Sequence, residues 1–263
     1  MNPIKLAKYA MAGWLPGGRR YCVMCDHWVW RFMPYRSGSA GVSRLMRALD
    51  TVGSDADNFE CPHCGANDRE RHLLMYLRAT GLLAEMQGKA ILHFAPEKRL
   101  SLSIIGAGPS HYVRCDLHPR TPDVQRVDML DMEFESGSFD MLIANHVLEH
   151  VDDDLIALAE IRRVLRIGGL AILQTPYSRK LHRTWQDSGI EDDQARLQAY
   201  GQEDHVRLFG RDIFERFASA GLASRVGEHA DLLPTVDAHQ TGVNRAEPFF
   251  LFQRTDTELT TSV

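Results

Sequence analysis

The stretch that most constrains this chain runs from Phe139 to Tyr177, FDMLIANHVLEHVDDDLIALAEIRRVLRIGGLAILQTPY. Phe139–Ala144 is an apolar run broken only by Asp140, the pattern of a strand buried on both faces of a parallel sheet. The period then changes. From Asp152, residues Leu155, Leu158, Ile161, Val164 and Leu165 recur at spacings of three and four, behind three aspartates that suit the positive end of a helix. The pattern predicts one amphipathic helix with Arg162, Arg163 and Arg166 in its last turns, ended by Gly168-Gly169, and a second buried strand over Leu170–Gln174. Strand, helix, strand at this spacing is a right-handed crossover, so the chain is α/β with a mostly parallel sheet. Asn145, His146, Glu149 and His150 then fall at the carboxyl end of the first strand, the edge where open α/β sheets bind ligands.

The 263 residues, 44% of them hydrophobic, suffice for one full domain with a small appendage. A net charge of −5 disfavours a nucleic-acid or anionic-membrane partner gathered by a global basic field. No apolar run approaches the roughly 18–20 residues of a membrane span, and the first residues lack a signal peptide's apolar core. A cytoplasmic protein is expected. The segment 1–18, with Ile4, Leu6, Met11 and Trp14 beside Lys5 and Lys8, reads as a helix packed on the body or a frayed end; the other reading is a peripheral membrane or partner contact.

Four of the five cysteines form two CxxC knuckles, Cys22-Val-Met-Cys25 and Cys61-Pro-His-Cys64. Two such turns supply four thiolates, which meets the tetrahedral preference of Zn2+ in a closed, structural site. Four free or redox-active thiols are the alternative, and His27 or His63 could replace one sulfur. The intervening residues 26–60 are expected to loop out. Trp28, Trp30, Phe32 and Tyr35 alternate as a strand would and are expected to cover the metal or form a recognition surface.

Phe139-Asp140, Leu148-Glu149-His150, Leu165-Arg166 and Gly168-Gly169 stand at the spacing of FDxxxxxxxLEH and xLRxGG. In this the stretch from about 87 to 254 resembles the class I S-adenosylmethionine (SAM)-dependent methyltransferases, type 11-like, with an N-terminal zinc ribbon. The resemblance implies a Rossmann-like seven-stranded, mostly parallel sheet flanked by helices, in three parts: an N-terminal segment and ribbon over 1–66, a methyltransferase domain over 67–254, and a disordered tail over 255–263. It also implies SAM as cofactor beside structural Zn2+. The family's GxGxG turn is replaced here by His93-Phe94-Ala95-Pro96-Glu97, a glycine-poor motif of the HFAPE type, and Glu97 is expected to meet the cofactor's α-amino group.

Asp116 ends the strand His111–Asp116, twenty-one residues after Ala95, and nucleotide-binding α/β folds place a ribose-binding acid at about that distance. The family resemblance adds Leu117 beside it, Asp128 and Met129 at the adenine, with Asp131 as the rival, and Asn145 and His146 at the methionine part. Asn67 opens a predicted helix whose Arg69, Arg71 and His72 either reach substrate or form a solvated face. Residues 178–201 form a polar insert of the kind that varies into a substrate lid, followed by Asp204-His205-Val206-Arg207. For a hydroxyl acceptor, a base is required, and histidine titrates in the useful range; His146, His182 and His205 are the candidates, with His150 and Glu149 read as helix-start residues. The best reading is O- or N-methylation of a small-molecule or glycan/cell-envelope acceptor. The alternatives are an RNA or protein methyltransferase with the ribbon as reader, and a non-catalytic binding module.

Overall fold

The structure is a computed structural model that describes residues 3–256. Seven strands form one sheet: β1 Ala90–Phe94, β2 His111–Asp116, β3 Gln125–Arg126, β4 Phe139–Ala144, β5 Leu165–Ile172, β6 Leu222–Ser224 and β7 Leu251–Arg254, in the spatial order β6-β7-β5-β4-β1-β2-β3. β3, β2, β1, β4 and β5 are parallel, and β7 is antiparallel to both of its neighbours. The helices that matter below are α1 Pro3–Trp14, α2 Arg44–Ala48, α3 Asp68–Ala79, α4 Lys98–Gly106, α5 Asp154–Val164, α6 Asp193–Tyr200 and α7 Ile213–Ser219.

Alternation along the strands divides the core in two. Leu92, Phe94, Leu142 and Ala144 pack with α5 residues Leu158 and Ile161 and with Phe217 of α7. Ile91, Met141 and Ile143 pack with Leu73, Leu74 and Leu77 of α3 and Leu100 and Ile104 of α4. Each central strand thus buries both faces, which is why β4 reads as a nearly unbroken apolar run.

The crossover helix ends earlier than the sequence predicts. Leu165 is already extended, at ψ 146°, and it pairs with Phe139 while Leu170 pairs with Met141. Residues 166–169 are therefore a bulge in β5, with Gly168 at φ +79°. Arg166 leaves the helix face to bind the Asp140 carboxylate at 2.6 Å, which also accepts the Ala90 N–H at 2.8 Å. The double glycine serves this strand irregularity and does not stop the helix.

The expected strand over Trp28–Tyr35 shrinks to His27–Val29, paired with Arg20–Cys22. Only Phe32 of the four aromatics packs on the cysteine cluster; Trp28 and Trp30 stay about half exposed. α1 is held at its C-terminal end, where Ala12 and Gly13 are buried, and presents Ile4, Met11 and Trp14 to solvent. The segment between the knuckles does not loop out. It folds back over the sheet: Thr51–Val52 pairs antiparallel with Tyr177–Ser178, the Ser178 hydroxyl donates to the Leu49 carbonyl at 2.6 Å, and Met46 of α2 packs with Ala199 and Tyr200 of α6.

Among the described residues no helix is long and apolar enough to cross a membrane. Of the expected tail, residues 257–263 lie outside the described residues, while Thr255 is tied to Gly221 by its N–H at 3.1 Å.

Candidate active site

Arg71 fixes the ribbon to the body. The sequence offers it as a substrate contact or part of a solvated face; it is instead fully buried, with His72 beside it on the inward face of α3. All five N–H groups of its guanidinium are spent on backbone carbonyls: those of Thr241 at 3.0 Å, Phe59 at 3.1 Å, Ala66 at 3.0 Å, Gly242 at 2.7 Å, and Asn58. The plane stacks on Phe32 at 3.8 Å. The four knuckle cysteines bring their sulfurs within 4.8 Å of one another, and Cys22 and Cys64 lie 3.8 Å apart, the separation of two thiolates on a tetrahedral ion with bonds of about 2.3 Å. His27 and His63 stack on each other with ring centroids 4.0 Å apart and neither belongs to this group.

At the carboxyl ends of β1, β2 and β4 lies a cavity of about 510 Å³ whose walls include Phe94, Ala95, Asp116, Leu117, Asp128, Met129 and His146. These seven residues come from four separate segments, yet the sequence groups them as one candidate cofactor site. Pro96 lies on the far side of the β1–α4 turn, on an adjoining cavity that shares Ala95 and Asp116. Ala95 explains how the turn survives without glycine: it sits at φ +47°, the left-handed conformation glycine adopts freely, using the smallest side chain that carries a Cβ. Its N–H still pairs with the Cys115 carbonyl at 2.8 Å.

Glu97 is tied to two neighbours. One of its oxygens is 3.2 Å from His93 Nε2 and the other accepts from Asn145 Nδ2 at 2.5 Å, so both are engaged inside the protein. Burial pushes its pKa up, but His93 more than reverses this and holds the carboxyl below its ordinary value. Asp116 spends one oxygen on the His118 N–H at 2.7 Å and keeps the other. Asp128 likewise caps Leu130 N–H at 2.9 Å; its rival Asp131 lines a different cavity, which Asp128 shares. Asn145 Oδ1 is buried and has no donor among the described residues.

A second cavity, of about 290 Å³, adjoins the first. Its walls combine Tyr35, Val42, Met46 and Gly53 of the inter-knuckle segment with Tyr200 of the polar insert and His205 of the DHVR segment after it. Arg36 and Glu203 bridge the two segments at 2.5 Å. His146 lines both cavities. It stands at φ +57° with Nδ1 3.3 Å from Glu149 and Nε2 3.1 Å from Glu247. Burial and the Arg69 charge oppose protonation, but the two carboxylates outweigh them and hold the imidazole's pKa up at about 9. Both carboxyls are held below their ordinary values against the opposing effect of burial. His146 is thus an imidazolium with both nitrogens occupied, and it has no lone pair to take a proton.

The remaining base candidates separate clearly. His182 is exposed, lines neither cavity, and receives Arg211 at 2.5 Å. His205 is buried, donates from Nδ1 to the Tyr200 carbonyl at 3.1 Å and has no partner for Nε2 among the described residues; burial pushes its pKa below the ordinary histidine value. Glu149 and His150 belong to the turn before α5 rather than to its first residues. The sequence gives no sign of Glu247, of His229, which meets His72 at 2.9 Å, or of the cavity-lining residues of the inter-knuckle segment other than Tyr35. A glutamate before an apolar strand carries no local signal, and His146 and Glu247 are 101 residues apart.

Residues 88–173 match the profile of a methyltransferase domain family. No curated protein matches the chain significantly. Among solved structures, the chain is similar to the YcgJ protein of Bacillus subtilis (14% identity, 71% of this chain and 100% of that one, TM-score 0.47). It is also similar to an S-adenosylmethionine-dependent methyltransferase of Mesorhizobium loti (17%, 67% and 96%, 0.45) and to the 1,6-didemethyltoxoflavin-N1-methyltransferase of Burkholderia thailandensis (15%, 69% and 79%, 0.45). With the LEH and LRxGG motifs in place and the sheet they predict formed around them, residues 88–173 form a methyltransferase domain.

Proposed function

We propose that the protein methylates an oxygen or nitrogen of a small-molecule or glycan/cell-envelope acceptor, with SAM in the cavity at the sheet edge and the acceptor in the cavity walled by the inter-knuckle segment. The observation that carries this reading is His146, a wall of both cavities, so that two ligands would meet there. SAM would supply a methyl group already activated on a sulfonium. Asp116 has a free oxygen for the ribose hydroxyls, Asp128 and Met129 edge the adenine end, and Asn145 Oδ1 is an acceptor in want of a donor. Glu149, His146 and Glu247 together carry one net negative charge, which suits a cationic donor. The insert excludes water and orients the acceptor.

The acceptor cavity's size, about 290 Å³, suits a small molecule or a sugar unit. Zn2+ in the four-cysteine site would close the base of the segment that walls this cavity, since Cys25 and Cys61 flank it. The ribbon then shapes the acceptor site; Arg36, one of its basic residues, is already neutralised by Glu203.

Isothermal titration of the zinc-replete protein with SAM and S-adenosylhomocysteine tests the reading, wild type beside Asp116→Ala. Micromolar binding that is lost in the variant is expected. No heat with either ligand, from protein whose fold is verified, would sink the enzyme reading and promote the binding module.

A further inference from the structure

Two motifs that lie far apart in the chain meet beside the junction of the cavities. Glu149 and His150 come from the LEH turn, and His205 from the DHVR segment; a carboxylate oxygen and one nitrogen from each ring lie within 4.8 Å of one another. We propose that Glu149, His150 and His205 bind a divalent first-row transition-metal ion, at a site separate from the four cysteines.

The protonation pattern argues for a cation. His205 Nδ1–H donates to the Tyr200 carbonyl at 3.1 Å, and His150 Nδ1–H donates to the Asp204 carbonyl at 3.2 Å. In the neutral rings, therefore, both Nε2 atoms carry lone pairs. This is the arrangement by which proteins fix the tautomer of metal-binding histidines, the second nitrogen being held by a carbonyl or carboxylate. The Asp204 carboxylate, 3.4 Å from His150 Nδ1, adds to that support. Facing these rings is Glu149, fully buried. One of its oxygens forms the ion pair with His146 Nδ1 at 3.3 Å, outside hydrogen-bond geometry, and the other faces no donor among the described residues; His205 Nε2 is likewise buried and unpartnered there. His146 divides its single charge between Glu149 and Glu247, so the lone pairs gathered on the histidine side of Glu149, with no donor between them, leave a deficit of positive charge.

Two imidazoles and one carboxylate suit manganese, iron, cobalt, nickel or zinc better than magnesium or calcium, which prefer oxygen. Three protein ligands also leave coordination positions open. His150 lines the cofactor-side cavity and His205 the acceptor-side one, so an open position would be in reach of an acceptor oxygen. A cation there would favour ionisation of an acceptor hydroxyl, the proton leaving to solvent, before the S–CH3 bond breaks and the O–CH3 bond forms. That catalytic role rests on the function proposed above; binding of the ion does not.

The test begins by counting metal in the zinc-replete full chain as isolated. Mn2+ is then titrated into it in chelator-free buffer while the signal of free Mn2+ is followed by electron paramagnetic resonance. Wild type is compared with Glu149→Gln, His150→Ala and His205→Ala. One ion per chain beyond the four-cysteine site is expected, either isolated with the protein or taken up as Mn2+, with affinity lowered at least tenfold in each variant. His150→Ala replaces a side chain that is 32% exposed and keeps the test valid if a buried replacement fails to fold. Absence of a second ion from wild type would overturn the proposal and leave a proton to balance Glu149 against His205. So would an ion retained undiminished in His150→Ala and in folded His205→Ala. Loss of S-adenosylhomocysteine binding with the second ion still present would refute the proposed function and spare the metal site.

Discussion

Replacing Arg71 by lysine keeps the charge and removes the fork. The guanidinium serves five carbonyls from three places in the chain, whereas an ammonium has three donors, so at least two carbonyls lose their partner. Ala66 retains the Cys61 N–H at 2.8 Å, and one or two groups are left unsatisfied. At roughly 1–3 kcal/mol for each buried orphan, with about 1 kcal/mol for the lost stacking on Phe32, Arg71→Lys should destabilise by about 3–4 kcal/mol. For a chain of this size about 2–4 °C accompanies each kcal/mol, so a Tm lowered by about 10 °C is expected from calorimetry at saturating zinc. Arg78→Lys, on the exposed face of the same helix, is the control and should shift Tm by less than about 2 °C. An Arg71→Lys protein that melts with the control would refute the claim that this guanidinium joins the ribbon to the body.

Ala95→Gly should leave stability unchanged or raise it by up to about 1 kcal/mol, because relief of the left-handed conformation offsets the added chain entropy; urea unfolding measures it, and a loss above about 1 kcal/mol would contradict the strain at this turn. Cys61→Ser should lower bound zinc from one ion per chain to a small fraction and release the amide protection of residues 35–56 in hydrogen exchange. It should preserve binding of S-adenosylhomocysteine, since no inter-knuckle residue lines the cofactor-side cavity; equal loss of both would show that the ribbon carries the whole fold.

The features legible in the sequence were those written in neighbouring residues. Phe139–Ala144 announces a strand buried on both faces because period and burial are local consequences of pleating. His111–Asp116 occurs with the bounds the sequence predicts, and the cysteine spacing places four sulfurs together. The order of Ala95, Asp116, Asp128 and His146 along the chain sufficed to group them at one sheet edge, since parallel strands bring their carboxyl ends to the same side. The helix end was misread because LRIGG is equally a helix stop and a bulge until the partner strand is present.

Tertiary structure alone decided which polar groups face one another. His146 reads as a base, and only folding brings Glu247 to it and makes it an imidazolium. Arg71 reads as a solvated cation until carbonyls from residues 58 to 242 close around it. The segment between the knuckles looks dispensable, and it becomes a cavity wall by pairing with Tyr177–Ser178. Contacts such as His72 with Glu247, separated by 175 residues, leave no mark on local propensity or period. Their partners are chosen by the packing of the whole chain, and a side chain's charge and tautomer are set by those partners.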